Sequence, residues 1–129
     1  MKLYAPVAYW NLTVEERKYF RCGPGRGLLE RIIPDSIYGL CITESCSIHD
    51  YMYQVGEPSN EGKEEADRVF LNNMLRQIEE CQDVCADLLM KRLDRAQLYY
   101  SFVKNFGGPA YWAGKNLPGR LRDLTNPVQ

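Results

Sequence analysis

The sequence predicts an all-α domain, and three observations carry that expectation. From Glu64 to Phe106 the chain contains neither proline nor glycine. Ala66, Phe70, Met74, Ile78 and Cys81, then Leu88, Leu89, Ala96, Tyr100 and Val103, recur there at helical spacing. Thr13-Val-Glu-Glu16 has the form of a capping box, in which hydroxyl and carboxylate satisfy each other's orphan backbone amides at a helix start. The period-two alternation of half-buried strands is weak throughout.

Taken in order, a first helix starts after Thr13 and runs through Tyr19 or Phe20. Cys22-Gly-Pro-Gly-Arg-Gly27 ends it, because three glycines and a proline in five positions cannot hold regular structure and leave the backbone free to turn its polar groups inward. A turn near Pro34-Asp35 follows, and Thr43 or Ser45 caps a helix carrying Cys46, His49, Asp50 and Tyr53. Gly56 and Pro58 stop that helix, and residues 56–63 read as an exposed loop. From Glu64 the pattern is either one long helix or two joined by a tight polar turn near Glu79 to Asp83; average helix length favours a break. Phe106-Gly-Gly-Pro109 ends the run, and the tail reads as irregular chain wrapped over the core.

The chain has 129 residues, 45% hydrophobic and 26% charged, with a formal net charge of -1. This suits a single domain over residues 1–129 that buries roughly two thirds of its unfolded surface. Charge balance and aromatic content exclude a disordered chain, and near-neutrality makes nucleic acid a poor partner. No stretch reaches the 18 or more apolar residues of a membrane span. The opening MKLYAPVAYWNLTVEER fails as a signal peptide, since Asn11 and the charges after it interrupt the apolar stretch.

Five cysteines, an odd number, leave at least one thiol free or paired between chains. Cys81 and Cys85 are spaced like half of a metal site, but no second Cys or His pair completes tetrahedral ligation. One or two disulfides remain open.

His49 is the one histidine, and Asp50 follows it. On a helix Tyr53 lies one turn beyond His49 on the same face, while Asp50 points about 100 degrees away. This suits a metal-assisted attack by water on an ester. An imidazole with an ordinary pKa near 6.5 can take a proton from water at neutral pH, and it works best when a buried carboxylate fixes its other nitrogen. Asp67 is the leading candidate for that carboxylate, held in turn by the Tyr53 hydroxyl. Asp50 and carbonyls of the glycine loop would supply the hard oxygen ligands that calcium prefers, and the cation would polarise the ester carbonyl.

These residues resemble the phospholipase A2 superfamily with its His-Asp dyad. Cys22-Gly-Pro-Gly25 is similar to the family's Cys-Gly-x-Gly calcium loop, and Cys46-x-x-His49-Asp50-x-x-Tyr53 to its helix signature. Ala66-Asp67-Arg-Val-Phe70-Leu-Asn-Asn-Met74 is similar to the second-helix segment of the compact bacterial and fungal-type members. The resemblance covers about residues 20 to 80. It implies antiparallel core helices with an N-terminal calcium-binding loop. It further implies His49 as general base, Asp67 as its orienting carboxylate and Tyr53 as that carboxylate's partner. Asp50 and the carbonyls of Arg21, Gly23 and Gly25 would be ligands to Ca2+. The implied activity is calcium-dependent release of the sn-2 fatty acid from glycerophospholipids at a membrane or micelle surface.

The chain departs from the animal enzymes in carrying Met52 three positions beyond the histidine, a single Cys46 before it, and a longer interval from Gly25 to His49. The usual dense disulfide frame is therefore absent, and a hydrophobic core must supply more of the stability. Leu28, Leu29, Ile32, Ile33 and Ile37 are candidates for an acyl channel or for ordinary core, and Arg26 and Arg31 for contact with a headgroup phosphate. Tyr111 and Trp112 either rest at a membrane interface or pin the tail to the core. Two rival readings stand beside the enzyme: a noncatalytic domain of the same fold that binds lipid or a protein, and a helical interaction domain in which His49 and Asp67 are a structural pair. A metal-binding, secreted protein is the favoured setting for a calcium enzyme, by export without an evident signal peptide; the cytoplasm is the alternative.

Overall fold

The computed structural model describes residues 3–21 and 33–115, which form a predominantly helical domain with a minor two-stranded sheet. The order is α1 (Val7–Trp10), α2 (Val14–Arg21), β1 (Ser36–Ile37), β2 (Leu40–Cys41), α3 (Thr43–Val55), α4 (Asn60–Glu80), α5 (Ala86–Phe106) and α6 (Gly108–Trp112).

The capping box forms as expected at α2: the Thr13 amide donates to Glu16 Oε1 at 2.8 Å and the Glu16 amide to Thr13 Oγ1 at 3.2 Å. At α3 the expected cap is not made. The N-cap position falls on Ile42, whose hydrocarbon side chain cannot accept a hydrogen bond, and Thr43 Oγ1 instead donates to Asp35 Oδ2 at 2.9 Å. The loop after α3 is shorter than expected, because Ser59 accepts from the Gly62 amide at 3.1 Å and starts α4 at Asn60. The long helical pattern breaks where expected, with α4 ending at Glu80 and α5 starting at Ala86.

The small hairpin went unforeseen. Ser36 pairs with Cys41 and Ile37 with Leu40, and the two turn residues, Tyr38 and Gly39, both have left-handed backbone (φ 46° and 84°). Glycine adopts that conformation freely; tyrosine does not. Helix α5 holds Tyr38 in place: Arg92 donates to its carbonyl at 3.0 Å, and Arg95 donates to its hydroxyl at 2.7 Å while lying over its ring. Tyr99 adds a bond to the Ser36 carbonyl.

The three long helices run antiparallel. Lys63 at the start of α4 reaches the Val103 carbonyl at the end of α5, and Ser45 at the start of α3 bonds Gln77 near the end of α4. Helix α4 therefore sits between its neighbours and must be apolar on two sides. Phe70, Met74 and Ile78 join Ile37, Ile42, Ala96, Val103 and Tyr111 in the main core, whereas Val69 packs with Leu3, Tyr9, Ile48 and Tyr51 in a second cluster. Ile33 and Ile37 are core residues; Leu28, Leu29, Ile32, Arg26 and Arg31 lie outside the described residues. No helix among the described residues is long and apolar enough to cross a membrane.

The described part of the tail, through residue 115, is more ordered than expected. Proline in the first turn of α6 fits the missing donor there, and Tyr111 is fully buried with its hydroxyl donating to the Glu57 carbonyl at 2.6 Å. Of the two readings of Tyr111 and Trp112, pinning to the core is the one seen: Trp112 packs against the main cluster. Gly107, between α5 and α6, lies so close to the Tyr53 hydroxyl and the Val103 carbonyl that a Cβ would collide with both. We expect Gly107→Ala to destabilise the fold by about 1–3 kcal/mol, the usual cost of overpacking. A melting temperature equal to that of the parent would contradict this packing.

Candidate functional site

Helix α3 puts His49 and Tyr53 one turn apart on one face, and the antiparallel α4 brings Asp67 opposite both. His49 Nε2 lies 2.9 Å from Asp67 Oδ1, and the Tyr53 hydroxyl donates to the same oxygen at 2.6 Å. All three residues are about 2% exposed. The imidazole is stacked on Phe70 (centroids 4.5 Å apart, planes at 27°) and lies against the Tyr53 ring. Phe70 is three residues beyond Asp67 on the same helix, so one face of α4 supplies both the carboxylate and the wall that orients the ring.

The second carboxylate oxygen, Oδ2, accepts from Lys63 Nζ at 2.8 Å. Burial alone would raise the pKa of Asp67. The hydrogen bond and charge of His49, followed by the bonds from Lys63 and Tyr53, outweigh burial and hold the carboxyl below its ordinary value. Burial, then the charge of Asp67 and the bond to it, push the Tyr53 phenol far upward. Asp67 is thus a carboxylate at neutral pH and Tyr53 a neutral donor. With Nε2–H donated to Asp67, neutral His49 has Nδ1 as its proton-accepting nitrogen.

Lys63 was not anticipated. Its i,i+4 spacing to Asp67 was the available signal, but the segment before Glu64 read as loop, and a loop lysine has no fixed neighbour.

The expected calcium site fares differently. Asp50 is buried on α3, and Arg21 ends α2, while Gly23 and Gly25 lie outside the described residues. The expectation of a metal-binding, secreted-type domain is corrected on two findings. Among the described residues no group of three or more His, Cys, Asp or Glu side chains is placed to hold a metal ion. Among the described residues Cys41, Cys46, Cys81 and Cys85 form no disulfide with one another. The physical reason lies in the side chains: Asp50 is the single acidic side chain of the expected set, whose other ligands are carbonyls, and Asp67, the orienting carboxylate, is committed to His49, Tyr53 and Lys63 and adds no ligand. Cys81 and Cys85 flank the α4–α5 turn instead of sharing a helix face, and among the described residues no further His, Cys, Asp or Glu completes a metal group with them.

A separate open groove of about 380 Å³ is lined by Val14, Arg17, Cys41, Thr43, Glu44, Ser47 and Gln77; it includes none of the three dyad-centred residues. At its edge the Tyr9 hydroxyl donates to Glu44 and bonds the Ser47 hydroxyl, and burial, followed by the Glu44 bond, pushes that phenol up to about 12.

No family model, curated protein or solved structure matches the chain. What the fold and the site define is therefore a class by geometry: a helical domain with a buried histidine, carboxylate and tyrosine assembled across two antiparallel helices.

Proposed function

We propose that the chain hydrolyses the sn-2 ester of glycerophospholipids, releasing a fatty acid and a lysophospholipid, with water activated by His49. The observation that supports this reading is the buried Asp67 carboxylate accepting from both His49 Nε2 and the Tyr53 hydroxyl. In this reading Nδ1 takes a proton from water as the oxygen attacks the ester carbonyl. The imidazolium that forms is stabilised by Asp67, which stays ionised, and it then returns the proton to the departing glycerol oxygen. Burial excludes competing solvent and strengthens the carboxylate's hold on the developing cation. The choice of a phospholipid ester over other esters comes from the resemblance of Cys46-x-x-His49-Asp50-x-x-Tyr53 and the following Asp67 segment to phospholipase A2.

The test is hydrolysis of mixed phospholipid vesicles in millimolar calcium and in chelator, with fatty acid and lysophospholipid read by mass. We expect the two products in equal amounts. Product in both conditions would support hydrolysis by His49 that needs no calcium. Folded protein that yields no product in either would overturn the enzyme and favour the noncatalytic lipid-binding or protein-interaction domain.

A further inference from the structure

We infer that Lys63 is a positioning residue of this site, fixing the plane of the Asp67 carboxylate so that His49 is held as the Nε2–H tautomer; the inference rests on the hydrolytic reading above only for its kinetic consequence. An ammonium has three N–H donors, and Lys63 Nζ has three acceptors: Asp67 Oδ2 at 2.8 Å, the Val103 carbonyl at 2.8 Å and the Lys104 carbonyl at 3.2 Å. The last two belong to the final turn of α5, where the Val103 carbonyl also accepts from the Gly107 amide at 2.9 Å and the carbonyls carry the partial negative charge of a helix C-terminus. The lysine is thus held by two oxygens that do not move with α4.

The geometry at Asp67 shows why this matters. His49 and Tyr53 both bond Oδ1, so those two contacts leave the carboxylate able to turn about its own axis and offer either oxygen. Anchoring Oδ2 to Lys63 removes that freedom, and with it the freedom of the imidazole ring to follow. A plain helix-surface ion pair at the same spacing is present for comparison. Lys91 and Asp87 are 3.2 Å apart, with side chains 56% and 78% exposed, whereas Lys63 and Asp67 are 14% and 3% exposed. Exposed pairs of that kind contribute little. The buried pair is built into the contact of three helices.

The experiment uses the single histidine, whose Nε2–H proton resonance needs no assignment among others, together with vesicle hydrolysis kinetics. Lys63→Met removes the donor; Lys63→Gln removes the charge but keeps an amide that can bond the α5 carbonyls, and serves where the methionine variant does not fold. In the folded variant we expect the Nε2–H resonance to be lost to exchange with water, and kcat to fall between about ten- and a hundred-fold with KM unchanged, the scale of a misplaced catalytic group. A parent-like resonance and kcat in a folded variant would overturn the inference. Loss of the resonance in a protein whose parent hydrolyses no phospholipid would support the positioning role and overturn the hydrolytic reading instead.

Discussion

His49→Gln is expected to abolish ester cleavage, lowering turnover at least about a hundred-fold, while the fold survives. A positioned general base contributes about 10²- to 10⁴-fold, and glutamine has no group that accepts a proton near neutral pH. Its amide can still donate to Asp67 Oδ1, so the buried carboxylate keeps a partner and the large desolvation penalty is avoided. Turnover on vesicles and a thermal melt, measured on the same preparation, check both halves. Retained turnover would remove His49 from the chemistry.

Asp67→Ala is expected to act on both stability and turnover. It strips the His49 Nε2–H and the Tyr53 hydroxyl of their acceptor and leaves the Lys63 ammonium with backbone carbonyls alone. Breaking a buried pair from one side costs about 3–5 kcal/mol, and a base in the wrong tautomer loses up to about 10⁴-fold in rate. The acid limb changes as well. Because the folded-state pKa of Asp67 is depressed, its stabilising contribution is fully present above the unfolded value near 3.9 and is lost as pH falls through the lower folded value. Denaturant melts from pH 7 down to acid should therefore lose stability in the parent over that window, and the variant should lack this component. Parent-like kinetics and acid profile in Asp67→Ala would require another group to orient His49.

The helices around the site were legible because their information is local. Thr13 and Glu16 cap α2 through residues three apart, and the spacing of His49 and Tyr53 decides that both face the same way on any helix. The partnership with Asp67 could be read only through a motif, since 18 positions separate it from His49 and no periodicity reaches that far. What escaped depended on tertiary partners. Thr43 makes no cap because its hydroxyl bonds Asp35 across a hairpin. That hairpin was hidden because each strand has two residues and because Tyr38 holds an unfavourable backbone only with arginines from α5. Lys63 became part of the site once Ser59 started the helix earlier than the glycine and proline content suggested. The glycine loop from Cys22 to Gly27 lies outside the described residues, so its role stays with the resemblance.

Lys115 is buried and donates to the backbone carbonyls of Tyr53 and Tyr111, with its ammonium over the Tyr111 ring. Sixty-two positions separate it from Tyr53. On a ribosome making about 5–20 residues per second, the histidine and its carboxylate emerge seconds before the lysine that bonds the last turn of α3. The pair can meet early, but the backbone under Tyr53 is tied down only when residue 115 has left the tunnel. The seating of the Tyr53 backbone thus comes later than the meeting of His49 and Asp67.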